Sequence, residues 1–506
     1  MFYFQQLLLC TCLFALPVAR ALEIPAGTDA GRKGADRLTL PQAIERALAK
    51  NFSIKSSAFN VSIASAQVTE QLGIFDPVLT GNYGFSNTET PSLVNPATDL
   101  RPPATLEKID NYSLGFGGLL PWGLNYSLSA TNTNDRGTFN SFLDNYAAFA
   151  GLSGRQPLLR DSGFGPTTTQ IRLALTNRSI SEWQYRQAVI DVVTQVIQSY
   201  YDLDFAHAYQ QSALRSRAAT ASLVTENEKR YQVGSMSEFD VTQARSRLAL
   251  QEEGVLLADQ QITTAENALK ALISDDRTTH LLDWRIEIEP LPPAGPALVN
   301  PALDFAEALK KRPDYQQALA TVKRAGINHR YQRNQMLPKL DLVGSYGYNG
   351  YDTSNDVSRR MVRSQDYHAY TYGVQVTVPL TFTTERGRYR AAKSQLRQAE
   401  IDLEKLEQTI VISVGNAASQ ITTSRQRVDA TRHARELAQQ TLDAEIKRLR
   451  AGSSNTFFVL QQQDILSASE ISEANALVDF HKALAEYDRQ LGTTLERLSI
   501  ALVLPR

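Results

Sequence analysis

Residues 122–131 read Trp122-Gly123-Leu124-Asn125-Tyr126-Ser127-Leu128-Ser129-Ala130-Thr131. Trp122, Leu124, Tyr126, Leu128 and Ala130 fall on one side of a strand and Gly123, Asn125, Ser127, Ser129 and Thr131 on the other, which predicts a sheet with one apolar and one polar surface. Three further stretches repeat the pattern. Tyr370, Tyr372, Val374, Val376 and Val378 alternate with Thr371, Gly373, Gln375 and Thr377. Leu79, Tyr83 and Phe85 alternate with Thr80, Asn82, Gly84 and Ser86, as do Leu340, Leu342, Tyr346 and Tyr348 with Asp341, Ser345 and Asn349. Each runs roughly 10 residues, the length of a tilted membrane-crossing strand. Tyr83, Tyr112, Tyr126, Tyr346, Tyr348, Tyr370 and Tyr372 suit aromatic girdles at two interfaces, and residues 87–108 and 349–367 read as external loops. A soluble sandwich would alternate in the same way, but the leader and the long helices described next weigh against it.

The chain has 506 residues, 42% of them hydrophobic and 21% charged, with a net charge of −1. That composition supports a folded core and gives no general attraction to nucleic acid. Leu7 to Leu16 form an apolar run too short to span a bilayer, ending at Ala19-Arg20-Ala21, so residues 1–21 read as an export signal, although Met1 to Gln6 carry no Lys or Arg. Both cysteines, Cys10 and Cys12, lie inside it, and the residue before Cys10 is Leu9, which disfavours a lipid anchor. No later stretch is apolar enough for a transmembrane helix, so membrane insertion has to use strands.

The rest reads as one plan written twice, over 22–273 and 301–497, with a linker at 274–300 rich in Pro290, Pro292, Pro293 and Pro296 and a tail at 498–506. Lys229-Arg230-Tyr231-Gln232-Val233-Gly234-Ser235 matches Lys447-Arg448-Leu449-Arg450-Ala451-Gly452-Ser453, and Val241, Gln243, Leu248 and Glu252 recur as Val459, Gln461, Leu466 and Glu470. Each half predicts helices, a strand pair (about 76–133 and 338–382), a helix of roughly 65 residues and about 100 Å, a tight turn and a returning helix. Val241, Leu248, Val255, Ile262 and Leu269 follow a heptad, with Ala244, Ala258, Ala265 and Leu272 beside it, which predicts interlocked helix pairs. Gly234 and Gly452 sit at the turns, followed by Ser or Asn N-caps.

Four strands cannot close a barrel, and an open sheet edge in lipid is prohibitively costly, so the chain is expected to oligomerise. Two copies give eight strands and a filled interior; three give twelve and room for water. The ordered set Leu38-Thr39-Leu40-Pro41-Gln42-Ala43-Ile44, Gln156-Pro157-Leu158-Leu159-Arg160, Val378-Pro379-Leu380 and Arg230-Tyr231-Gln232-Val233-Gly234 resembles the TolC family of outer-membrane efflux proteins over essentially the whole mature chain. The resemblance implies an α+β membrane protein of the Gram-negative outer membrane. It would be a homotrimer with a twelve-stranded barrel, four strands per protomer, continued by a long periplasmic helical coiled-coil barrel. Such proteins serve tripartite efflux or type I secretion. They dock on a periplasmic adaptor (membrane fusion) protein driven by an inner-membrane pump of RND, ABC or MFS type.

On that resemblance, Tyr231, Val233, Gly234, Ser235, Leu449, Ala451, Gly452 and Ser453 become candidate adaptor-docking positions. Asp240, Gln243, Phe458 and Gln461 become candidate gate residues, where Asp240 could form an acidic ring and Phe458 an apolar constriction. Each has a plainer role available, as a turn, a solvated helix face or seam packing. Catalysis finds little support. His207, His280, His329, His368, His433 and His481 lack ligand spacing, and Asp275-Asp276 suits a turn in the linker. No cofactor or metal is expected. The competing reading is a periplasmic coiled-coil adaptor or scaffold without a pore, which would need no lipid-facing strands.

Overall fold

The computed structural model describes residues 36–94, 96–295 and 301–502; the leader and Pro296 lie outside them. A first run of elements comprises β1 (Asp36–Leu38), α1 (Leu40–Lys50), α2 (Phe52–Leu72), β2 (Val78–Thr90), β3 (Thr105–Leu119), β4 (Asn125–Gly137), β5 (Tyr146–Pro157), α3 (Phe164–Thr167), α4 (Thr169–Gln232) and α5 (Glu238–Ile273). The linker holds α6 (His280–Asp283) and β6 (Ile286–Ile288). A second run follows: α7 (Pro301–Lys311), α8 (Pro313–Gln335), β7 (Lys339–Asp352), α9 (Asn355–Ser364), β8 (Tyr367–Thr377), α10 (Thr383–Arg450), α11 (Thr456–Leu491) and α12 (Thr494–Arg497).

Local chemistry sets the element ends. Thr39 opens α1 with a capping box: its hydroxyl accepts from Gln42 N, and Thr39 N donates to Gln42 Oε1 at 3.1 Å. Asn51 caps α2 by accepting from Ser53 N at 2.8 Å, and its amide donates to Leu272 O at 3.0 Å, which ties α2 to the end of α5. Without an internal proline, α4 runs 64 residues and α10 runs 68, about 100 Å each. α5 returns along α4 and α11 along α10. Their seams bury Val241, Ala244, Ala258, Ile262 and Leu269 in one hairpin and Ile410, Val414, Ile421, Ala476 and Phe480 in the other.

The linker is strapped across this helical body. β6 pairs in parallel with β1, Ile286 beside Asp36 and Ile288 beside Leu38. Tyr200 donates from its buried hydroxyl to Leu38 O at 3.0 Å and accepts from Glu289 N at 3.1 Å. His481 Nε2–H donates to Pro292 O at 2.9 Å. Burial holds this imidazole below its usual range, against the opposing effect of the carbonyl. Asp204 meets the strap through the Leu291 N–H, and burial pushes its carboxyl up to about 6. A carboxyl raised above its unfolded value contributes stability in full below about pH 3.8, and that contribution is lost as pH rises through 6. Asp204→Asn keeps an acceptor for Leu291. It should therefore raise the melting temperature at pH 7.5 and leave it unchanged at pH 4, as read by circular dichroism in detergent. An equal gain at both pH values would refute this account.

The strands form one antiparallel sheet in the order β2-β3-β4-β5-β7-β8. This corrects the sequence expectation: among the described residues this sheet has six strands, not four, so the first pair is not β2 with β4. β3 lies between them, with Tyr83 opposite Tyr112 and Tyr112 opposite Asn132. β3 and β5 escape the alternation test for different reasons: the charged Lys108 and Asp110 interrupt the apolar row of β3, and β5 carries the small residues Ala147, Ala148, Ala150 and Gly151 on both faces. Residues 87–90 and 105–108 also extend the β2–β3 ladder, and 349–367 contains α9 rather than loop alone.

The register settles the two faces. One surface carries Leu79, Leu114, Phe116, Leu128, Leu152, Leu342, Tyr346, Tyr370, Tyr372, Val374 and Val376, all exposed in the single chain. The opposite surface carries Thr80, Asn82, Ser113, Ser127, Ser129, Ser153, Ser345, Thr371 and Gln375. On this polar side Gly151 and Gly347 face each other beneath the Phe149 ring, where an added Cβ would approach the ring to 2.5 and 2.6 Å.

Candidate functional site at the hairpin tips

The two long hairpins turn at the end of the molecule remote from the sheet. In the first, Ser235 N donates to Arg230 O at 2.8 Å and Gly234 N donates to Tyr231 O at 2.9 Å. In the second, Ser453 N donates to Arg448 O at 2.9 Å and Gly452 N donates to Leu449 O at 3.1 Å. Both are left-handed helix ends that glycine adopts without a Cβ clash, at φ 73° for Gly234 and 75° for Gly452. The returning helices are then capped. The Ser237 hydroxyl accepts from Asp240 N at 3.2 Å, and Asn455 Oδ1 accepts from Phe458 N at 3.2 Å.

Of the docking candidates, Tyr231, Val233, Gly234, Ser235, Ala451, Gly452 and Ser453 are exposed, Val233 at 78%. Leu449 is a correction. It is buried against Leu442 and Val459 and belongs to the hairpin's own packing.

The gate candidates separate. Gln243 and Gln461 line one groove of about 460 Å³ between α5 and α11, together with Phe239, Phe457, Arg247 and Asp464. Asp240 lies outside that lining, and its carboxylate accepts from the Ser237 hydroxyl at 2.6 Å as part of the cap. Phe458 also lies outside, half-exposed, its ring 5.6 Å from that of Phe457.

Three features here were missed in the sequence. Phe239 and Phe457 stand five residues after Gly234 and Gly452, and 74% and 50% of their surfaces are exposed. Their matching positions in the two copies could have revealed them. Arg247 donates to Asp464, joining α5 to α11 across the groove; nothing in the spacing of these two residues signals it. Below the tips, the buried Asn227 amide donates to Thr456 Oγ1 at 3.2 Å, which joins α4 to the start of α11.

The linker carboxylates behave as structural groups. Lys55 donates to Asp275 at 2.9 Å and holds its carboxyl below the usual range, while Asp276 accepts from Thr278 N at 2.9 Å in a turn. Among the described residues no cluster of His, Cys, Asp and Glu could hold a metal ion, and no helix is long and apolar enough to cross a membrane.

A two-faced sheet with unpaired edges, carried on helical hairpins of about 100 Å, defines an outer-membrane channel subunit. The pattern of the family described as outer membrane efflux protein matches residues 119–274 and 305–493. The chain belongs to that family, and it is an efflux protein of the outer membrane. The outer membrane efflux protein BepC of Brucella suis biovar 1 (strain 1330) is 24% identical over 441 residues, covering 87% of this chain and 82% of that protein. The pyoverdine export outer membrane protein OpmQ of Pseudomonas aeruginosa is 26% identical over 388 residues, covering 67% and 77%. Among solved structures, the Campylobacter jejuni CmeC outer membrane channel has a similar fold, with a TM-score of 0.67 at 17% identity over 90% of this chain and 86% of that one. VceC of Vibrio cholerae gives 0.66 at 17% identity over 90% and 96%. The family leaves no place for the adaptor or scaffold reading.

Proposed function

We propose that this chain is one of three identical subunits forming a passive exit duct for a tripartite export system, in which the sheets close a barrel and the hairpins form a tunnel through the periplasm. The observation that carries this reading is the sheet itself: apolar on one face, polar on the other, with β2 and β8 left as free edges. In lipid such edges have to be paired. Because β2 runs outward and β8 runs back, β8 of one copy meets β2 of the next in antiparallel sense. Six strands per copy make this barrel eighteen-stranded rather than twelve, a size that leaves an aqueous channel. Matching lengths, 64 and 68 residues for the long helices and 36 for each returning helix, support duplication of one ancestral unit.

At the far end, the exposed turns with Tyr231, Val233 and Ala451 are the surface for a periplasmic adaptor, which an inner-membrane pump would supply with cargo. The Arg247–Asp464 pair, with Gln243 and Gln461 beside it, acts as a latch between hairpins. Exposed pairs contribute about 0.5 kcal/mol each, so three latches bias the tips toward closure roughly tenfold.

One experiment tests both ends. The purified protein should run in detergent as a heat-sensitive oligomer of three chains, and in planar bilayers Arg247→Gln should raise the open fraction about tenfold over the native channel. A monomer soluble without detergent would sink the duct, and an unchanged open fraction would sink the latch.

A further inference from the structure

The β7–β8 connection is not a simple loop. Its helix α9 is seated on the outer end of the sheet, over Gly350, where an added Cβ would lie 1.9 Å from Ser358 O. Ser358 is fully buried there, and Asn132 Nδ2 donates to Asn355 Oδ1 at 2.8 Å. Gly350 lies opposite Ala148 in the same row as Leu342, Tyr346 and Tyr348, so α9 rests on the apolar face and not in the polar lumen. Its height is also fixed. Gly350 stands about 11 residues beyond Lys339, about 28 Å along the membrane normal for a strand tilted by roughly 40°. This is just past an apolar band of about 25 Å, and beyond Tyr346 and Tyr348 of β7 and Tyr370 and Tyr372 of β8.

The helix divides its side chains accordingly. Val357, Met361 and Val362 are half-buried toward the sheet, while Arg359, Arg360 and Arg363 are exposed. None of these three guanidiniums has an ion-pair partner among the described residues. The neighbouring carboxylates are otherwise engaged or placed: Asp352 accepts from Ser354 N at 2.8 Å, Asp366 accepts from the Ser364 hydroxyl, and Asp356 sits in the first turn of α9. The contrast with Arg136 is informative. Arg136 lies toward the outer end of the same face, and Asp110 neutralises it at 2.5 Å with Asp144 at 3.6 Å. The charge of this sheet arginine is paired within the chain, whereas the three on the helix are left to the surroundings.

We infer that α9 is an interfacial helix whose Arg359, Arg360 and Arg363 bind the phosphate groups of anionic lipid in the outer leaflet, holding each subunit at a fixed depth. Guanidinium forks match phosphate oxygens in a bidentate way, and a helix lying flat at headgroup level presents them there. A protein ligand fits less well, because the surface under α9 is embedded in lipid. The inference rests on the barrel reading above.

The test uses the full-length protein in detergent, titrated with a fluorescent diphosphoryl lipid A. Each basic group near a phosphate-bearing surface is worth about fivefold, so Arg359→Gln, Arg360→Gln and Arg363→Gln together should weaken binding roughly 100-fold. The triple lysine variant should stay within about fivefold of native. Dephosphorylated lipid should not bind, and excess inorganic phosphate should not displace the probe. If the glutamine variant runs as a heat-sensitive trimer yet binds as tightly as native, this inference alone falls. It also falls if the lysine variant loses binding as far as the glutamine one, or if dephosphorylated lipid binds equally well. If the native chain is a water-soluble monomer that binds no lipid, the barrel and the inference fall together.

Discussion

Replacing Glu266 by leucine is expected to destabilise the folded chain by about 3–5 kcal/mol, among the largest losses available from one side chain outside the membrane. Glu266 is 3% exposed and Lys270, one turn on, 1%. Lys270 Nζ lies 3.3 Å from Glu266 Oε2, which also takes Arg285 Nη1 at 3.3 Å, and Glu266 Oε1 accepts from Ile286 N at 3.4 Å. Without the carboxylate, Lys270 keeps its charge where water cannot reach it, and β6 loses its anchor to α5. Removing both charges, as Glu266→Leu with Lys270→Met, should recover most of the loss, since apolar groups of similar size replace buried ion pairs at little net cost. Thermal melting followed by helical circular dichroism checks both; a single variant melting within a degree of native would mean that Lys270 finds water.

The second large effect separates neighbouring residues by face alone. Leu152 lies midway along β5, between Leu128 and Tyr346 on the apolar surface, and the next residue, Ser153, faces Ser127 and Ser345 on the polar one. Leu152→Arg should cost about 2–4 kcal/mol per subunit at the bilayer midplane and abolish assembly, whereas Ser153→Arg should insert normally and narrow the channel. The amount of heat-sensitive oligomer in outer-membrane fractions reads the difference. Equal assembly of the two variants would contradict the assignment of faces.

The helical architecture was legible because it depends on what long helices exclude and on how they stop. Proline-free runs of about 65 residues give α4 and α10, and Gly234 and Gly452 mark left-handed ends that other residues take only with strain. The sheet was half legible. Period-two patterning shows only where one face is large and apolar and the other polar. In β5 both faces carry alanine, and in β3 Lys108 and Asp110 interrupt the apolar row, so these two strands show only once β2, β4 and β7 pair with them. Helix α9 was hidden for a related reason: ten residues with three arginines look like a solvated loop until Gly350 supplies the flat seat. At the tips the turns were readable from local chemistry. The groove was not, because Arg247 and Asp464 are far apart in sequence and meet only once both hairpins have formed.

Every excursion of the backbone through the sheet is a there-and-back trip, since β2 with β3, β4 with β5 and β7 with β8 each return to the side they left. In the barrel proposed above, the connections at 91–94, 96–104, 138–145 and 353–366 are the ones that face the cell exterior. On that reading an antibody, a phage or a protease arriving from the medium would meet those patches and little else of the chain. Epitope tags placed within 96–104 should then report surface display on intact cells without disturbing the long helices.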